Sequence, residues 1–355
     1  VKALVLAGGH GTRLRPFSHS TPKQLVPVAN RPVLFHALDA LRAAGVTRAC
    51  VVVAGHGGPI REAVGDGSQF GMTVEFLSQD APRGLAHCVL LARPFLGDDD
   101  FVMYLGDNVF AEGIAPHLAA FRAASPSAQL VVSKVEDPSQ YGIAELDEGG
   151  RVTALWEKPS DPRGDMAVTG AYVFTSAIHE AVAAIGPSAR GELEITDAVQ
   201  WLVGSGHTVR AQPCTGYWKD TGTLADLLDC NRALLEGLRS RVRGRVDASS
   251  RLSGPVTVEE GAVVRRSRVE GPAVIGAGAL VEDSHVAPYT ALGPGCRLRG
   301  AGVGDSILMT GASVEGVRHV RGSVIGKSGE VRRGAQQGAP HRLLIGDDSR
   351  IEITT

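Results

Sequence analysis

The first 240 residues alternate short apolar runs with stretches of helical period. Residues 3–7 are an apolar run that predicts a buried strand, and the run stops at Gly8-Gly9-His10-Gly11. Residues 33–44 carry Leu34, Leu38 and Leu41 at helical spacing and end at Gly45, a residue suited to a helix C-terminus. Further strands are predicted at 50–54, 73–77 and 101–105, with helices at 60–64 and 85–92 between them. This βαβα order predicts an α/β fold with a doubly wound, Rossmann-like sheet, whose ligands lie beyond the carboxyl ends of the strands.

From residue 130 the apolar runs (130–135, 142–146, 152–156 and 171–174) are shorter and separated by Pro, Asp and Gly, which suggests a subdomain that covers a substrate. Helical spacing returns at 178–185, 195–203 and 223–238, and Arg239, Arg241, Arg243 and Arg245 then read as a solvated linker. Beyond the linker the period becomes six. Val263, Val269, Ile275, Val281 and Ala287 form one row, and Val274, Leu280, Val286, Leu292 and Leu298 another, with glycines between them. Neither a helix nor a hairpin has that period. It resembles the hexapeptide repeat of the left-handed β-helix, in which each hexad makes one side of a triangular coil. The expected domains are 1–240 and a coil domain at 246–355 ending in a cap.

Composition narrows the choice of partner. A chain of 355 residues that is 43% hydrophobic can bury two cores, and a formal charge of −2 excludes a strongly basic nucleic-acid binder. No apolar run reaches membrane-spanning length and no signal peptide is recognised, so no membrane partner and a cytoplasmic location are expected. Five cysteines, at 50, 88, 214, 230 and 296, show neither pairing nor metal-ligand spacing and read as packed thiols.

The glycine loop carries the chemistry. Gly8, Gly9 and Gly11 let several backbone N–H groups point at one anion, while Arg13 and Lys23 supply cations for a polyphosphate. A third dinucleotide-fingerprint glycine is missing, since Leu14 stands there, and no Gly-Lys-Ser/Thr closes the loop as in a Walker A motif. The string Leu6-Ala-Gly-Gly-His-Gly-Thr-Arg-Leu-Arg-Pro16, followed by Lys23-Gln24-Leu25-Val26-Pro27-Val28, closely resembles the signature of the sugar-phosphate nucleotidyltransferases. That resemblance places Gly8, Gly9, Gly11, Thr12, Arg13 and Gln24 at the nucleotide.

Asp107, just past the strand 101–105, and Asp220, in Gly216-Tyr-Trp-Lys-Asp-Thr-Gly222, are hard oxygen donors suited to Mg²⁺ beside a triphosphate. Their convergence is implied by the resemblance, which has a metal-binding aspartate in each motif. The family's Glu-Lys-Pro motif is present at Glu157-Lys158-Pro159, and it implies that Glu157 holds sugar hydroxyls and Lys158 the sugar phosphate. Tyr141, Gly142, Val168 and Glu194 are expected to line the sugar. In Gln79-Asp-Ala-Pro-Arg-Gly84, a glutamine can pair bidentately with an imide edge and so read thymine or uracil. The string is similar to that of the glucose-1-phosphate thymidylyltransferases, which implies that Gln79 and Gly84 contact thymine.

The expected reaction is transfer from dTTP to glucose 1-phosphate, giving dTDP-glucose and pyrophosphate, with Arg13, Lys23, Asp107, Lys158 and Asp220 catalytic. UTP, or another sugar or cyclitol phosphate, is the alternative. A nucleotide-sugar-binding regulatory protein is the non-enzymatic alternative, and acyl transfer using His285 or His319 of the coil is a third. The coil is expected to stabilise the chain and to assemble a homo-oligomer.

Overall fold

The computed structural model describes residues 1–334 except His10 and Thr215. The C-terminal cap expected after the coil lies outside the described residues. The chain forms two compact units: Val1–His10 with Val33–Asp220, and Gly11–Pro32 with the chain from Thr221 onward.

The first unit is built on a nine-stranded sheet. Its parallel half runs Thr73–Gln79, Arg48–Ala54, Lys2–Ala7, Phe101–Leu105, so the first strand lies between the second and the fourth. Ala3, Leu4 and Val5 are fully buried, as the unbroken apolar run requires of a central parallel strand. The helix Val33–Ala43 buries Val33, Leu34, Ala37, Leu38 and Leu41, the face marked by its period. The shorter strands after residue 128 do not stand apart as a subdomain. Met166–Phe174 pairs antiparallel with Phe101–Leu105 and with Ala128–Lys134, which extends the same sheet, and its side chains join the same core as Leu4, Met103 and Leu130. The buried cysteines behave as packed thiols, burial pushing Cys50 and Cys88 up to about 12.

The second unit holds three stacks of parallel strands, the arrangement of the hexapeptide coil, and pairing begins at Arg241, within the stretch read as a linker. One coil advances 17 residues, as in Leu252↔Val269 and Val269↔Val286, rather than three full hexads. Steps of 16 occur as well, as in Ala291↔Ile307 and Leu298↔Val314. The inward row is therefore Val258, Val264, Val269, Ile275, Val281, Val286, Leu292, Leu298, Val303, Leu308 and Val314, all buried. Two hexad steps are followed by one of five, so a strict six-residue count drifts off the inward face. Val263 and Ala287 of the first expected row, and Val274 and Leu280 of the second, sit one place off it. Val274 and Ala291 instead face outward and pack with Leu235 of the helix Leu224–Glu236.

That helix begins with a reciprocal cap, in which Thr223 Oγ1 accepts from Asp226 N and the Asp226 carboxylate accepts from Thr223 N. Its fully buried Asn231 accepts from Ala29 N at 2.9 Å and donates to Tyr289 O at 2.9 Å. One amide thus ties the segment after the glycine loop, the helix and the coil together. Replacing Asn231 with Ala leaves a buried N–H and a buried carbonyl without their partner. About 1–3 kcal/mol of stability is expected to be lost, seen as a lower urea midpoint; an unchanged midpoint would show that the tie is not structural.

Candidate functional site

The strand Lys2–Ala7 delivers Gly8 at the point where the strand order reverses, the place in an open parallel sheet where a crevice forms. Beside it, Gly106 N donates to Leu6 O at 2.8 Å as the chain leaves Phe101–Leu105 toward Asp107. A β-carbon on Gly8 would lie 3.8 Å from Gln79 Oε1, so the glycine loop starts next to the residue expected to read the base.

Gln79 closes the strand Thr73–Gln79. Its Nε2 donates to Gly84 O at 3.2 Å and lies 3.0 Å from His87 Nδ1. Both amide hydrogens are then engaged, and Oε1 is the end left to accept from an imide N–H. The donating half of the expected bidentate pair requires one of these two bonds to be exchanged. Burial, and next Arg83, hold the His87 imidazole below its ordinary value, which keeps Nδ1 an acceptor. Gly84 has φ +95°, and a β-carbon there would sit 2.3 Å from Leu193 O, so no other residue fits. Through Leu193 N to Arg83 O, 2.9 Å, and Ala86 N to Leu193 O, 3.0 Å, this loop is tied to the 190–197 string.

Asp107 immediately precedes the short strand Asn108–Phe110, which pairs antiparallel with Trp218–Asp220 and sets Asp220 opposite Asn108. Neither strand is visible as a periodic run. Asn108 is 3% exposed and organises the pair: Nδ2 donates to Asp107 Oδ1 at 3.0 Å, and Oδ1 accepts from Trp218 Nε1 at 2.7 Å. A β-carbon on Gly170 would lie 2.3 Å from Asn108 Cγ, so that glycine makes room for the amide. Sequence analysis gives neither Asn108 nor Trp218 a role.

Trp218 in turn meets Tyr141 edge to face, with centroids 5.7 Å apart, which joins the carboxylate strands to the expected sugar pocket. There a β-carbon on Gly142 would lie 3.3 Å from Glu157 Oε2. Glu157 accepts from Thr196 Oγ1 at 3.0 Å and from Arg190 Nη1 at 3.2 Å. The same Arg190 nitrogen is 3.4 Å from Glu194, which also accepts from Ser188 Oγ at 3.0 Å. Burial, then the Glu157 charge, raises the Glu194 carboxyl, with Ser188 and Arg190 opposing. Lys158 adopts φ +41°, held there by its N–H to Tyr141 O at 3.0 Å, and its Nζ is 3.9 Å from Glu157. Val168 is buried in the strand Met166–Phe174. Arg190 and Thr196, unassigned from sequence, belong to this cluster.

Gly11, Thr12, Arg13, Lys23 and Gln24 lie in the other unit. Gly11 has φ +64°, and a β-carbon on it would stand 2.9 Å from Lys23 Cβ, so the glycine packs directly on the lysine stem. Gln24 is 1% exposed, and its Oε1 accepts no hydrogen bond among the described residues. For a divalent cation the donor set of the first unit fits: two carboxylates, one just before and one within a pair of strands, suit Mg²⁺, which takes one or two and completes its shell with phosphate and water. Among the described residues no group of three or more His, Cys, Asp or Glu offers a closed protein site. No helix among them is long and apolar enough to cross a membrane.

The chain is similar to known proteins over its whole length. Residues 2–237 match the nucleotidyl transferase family model. The chain is 52% identical, over 100% of both chains, to a glucose-1-phosphate thymidylyltransferase of Streptomyces griseus, and 49% identical, over 99% of both, to one of Streptomyces antibioticus. A Bacillus anthracis structure assigned as a glucose-1-phosphate thymidylyltransferase, in complex with a sucrose, superposes with a TM-score of 0.62 at 33% identity, covering 66% of this chain and 94% of that one. The chain belongs to the nucleotidyl transferase family.

Proposed function

We propose that the chain transfers a thymidylyl group from dTTP to glucose 1-phosphate, forming dTDP-glucose and releasing pyrophosphate. What carries this reading is the joining of three motifs in the first unit: Gln79 beside Gly8, Asp107 and Asp220 at a pair of strands, and the Glu157 cluster linked to them through Tyr141 and Trp218. The full-length similarity to two thymidylyltransferases supports the same substrates.

A sugar-phosphate oxygen attacks the α-phosphorus; that P–O bond forms as the bond to the departing pyrophosphate breaks, and no covalent enzyme intermediate is needed. Gln79 accepts from the thymine N3–H, Glu157 holds sugar hydroxyls, and Lys158 orients the attacking phosphate. Asp107 and Asp220 would hold Mg²⁺, which when bound neutralises phosphate charge. For Arg13 and Lys23 the support is the signature that contains them, two cations matched to the leaving pyrophosphate. The coil is proposed to assemble copies of the chain, its residues being outside the transfer chemistry.

A pyrophosphate-release assay with Mg²⁺, each common nucleoside triphosphate and a panel of sugar 1-phosphates tests the proposal. Release is expected to need dTTP and glucose 1-phosphate together; release with another sugar only would refute the acceptor. Asp107→Asn is expected to lower kcat by about 10²-fold or more with the fold intact. Asn108→Ala touches no substrate, so its signature differs: kcat falls and the Mg²⁺ concentration for half activity rises, while KM for glucose 1-phosphate stays put. An unchanged Mg²⁺ requirement would exclude the positioning role.

The base pocket has its own pH signature. As pH falls below the ordinary histidine value of 6.5, His87 takes a proton on Nδ1 and turns from acceptor to donor against Gln79 Nε2. KM for dTTP is expected to rise on the acid side, and His87→Asn, which offers a non-titrating acceptor, to flatten that limb. The same limb in both proteins would assign it to the nucleotide.

A further inference from the structure

The three faces of the coil handle charge in three ways. The first is apolar at Val274 and Ala291 and is covered by the helix Leu224–Glu236. On the second, Arg265, Glu282, Arg299, Glu315 and Arg332 follow one another in register, so opposite charges alternate and neutralise. Arg299 stands 3.8 Å from Glu282 and 3.7 Å from Glu315. The third face breaks this rule. Arg251 is in register with Arg268, and Arg268 with His285, so no carboxylate alternates with them along this row, and Arg268 and His285 share Glu270 instead.

Small residues follow. His285 is in register with Gly302, and a β-carbon on Gly302 would meet His319 N at 3.2 Å; Gly304, in register with Arg321, has room for none beside Ala287. The small side chains open a groove of about 660 Å³ along this face, a volume within the range of small-molecule sites. Its walls carry five arginines and two histidines against one carboxylate, Asp283, in a chain whose net charge is −2. Asp283 is taken by a two-pronged pair with Arg266, at 2.6 and 2.8 Å. Glu270 serves Arg268 and His285 Nε2 together. Arg251, Arg318 and Arg321 are exposed and have no carboxylate partner among the described residues.

We infer that this face binds a small phosphate-bearing anion, held by the guanidinium groups of Arg318 and Arg321, with Arg251 four strands away extending the cationic track. Guanidinium forks match phosphate oxygens bidentately, and the glycine floor lets the anion approach the sheet. No Phe, Tyr or Trp lines the groove, so it lacks the large stacking platform that single-stranded nucleic acid uses. The face carries none of the residues assigned to nucleotidyl transfer. His285 and His319, candidates for an acyl-transfer base from sequence, lie on it as anion-facing groups.

Calorimetric titration of the full chain with inorganic pyrophosphate, and separately with dTDP, tests the site by counting. Two sites per chain are expected for at least one probe, and the one that shows both identifies whether free pyrophosphate or a nucleotide is the source. In Arg251→Ala/Arg321→Ala one of the two is expected to weaken about tenfold or more, with kcat, KM and melting temperature retained. A single site per chain with both probes, unchanged in the variant, would overturn the inference. So would an unchanged count with a variant that falls apart into smaller assemblies in light scattering, which would make the face a contact between copies.

Discussion

The site depends on one pairing. Lys2–Ala7 is bonded on one edge to Arg48–Ala54 and on the other to Phe101–Leu105, all parallel, so three strands end at the same side of the sheet. Parallel strands must each be followed by a crossover, and reversing the strand order beside the first one leaves a gap between successive crossovers. Gly8 and Asp107 are simply what the chain supplies at the two strand ends that border it. The apolar completeness of residues 3–7 is therefore a functional feature, since a polar residue there would not survive burial on both faces.

Within the first unit, precision is passed through hydrogen-bonded neighbours. Asn108 grips Asp107 on one side and the Trp218 indole on the other, and Trp218 leans on Tyr141, whose carbonyl holds the Lys158 backbone. The hydrogen-bonded links are short and centre on the buried Asn108, so a carboxylate, an aromatic ring and a left-handed lysine share one frame. Arg190 performs a similar service for Glu157 and Glu194, two carboxylates whose closeness raises the Glu194 carboxyl on top of its burial. A cation between a buried acid and a half-buried one lets them sit side by side without both being neutralised.

The second unit shows how a repeat can be exact in space and inexact in sequence. Stacked coils must superpose, but the corners between strands tolerate a residue more or less, so the inward row advances by six, six and five. Sequence periodicity located the coil and its texture, yet a strict count of six placed Val274 and Leu280 on the wrong face. The outward rows then differ from face to face because each meets something different: a helix, a ladder of opposite charges, or the open groove with its arginines.

By itself the sequence determined what depends on local pattern: the alternation of strands and helices, the buried first strand, the glycine loop, the Asp107 and Glu157-Lys158 motifs and the presence of a coil. These are legible because burial periodicity and turn chemistry are written within a few neighbouring residues. Tertiary structure alone decided that the runs after residue 128 extend the central sheet, that Asn108–Phe110 pairs with Trp218–Asp220, and that Arg190 and Thr196 join Glu157. Those contacts link residues tens of positions apart, and long-range pairing leaves no mark on either partner's own neighbourhood.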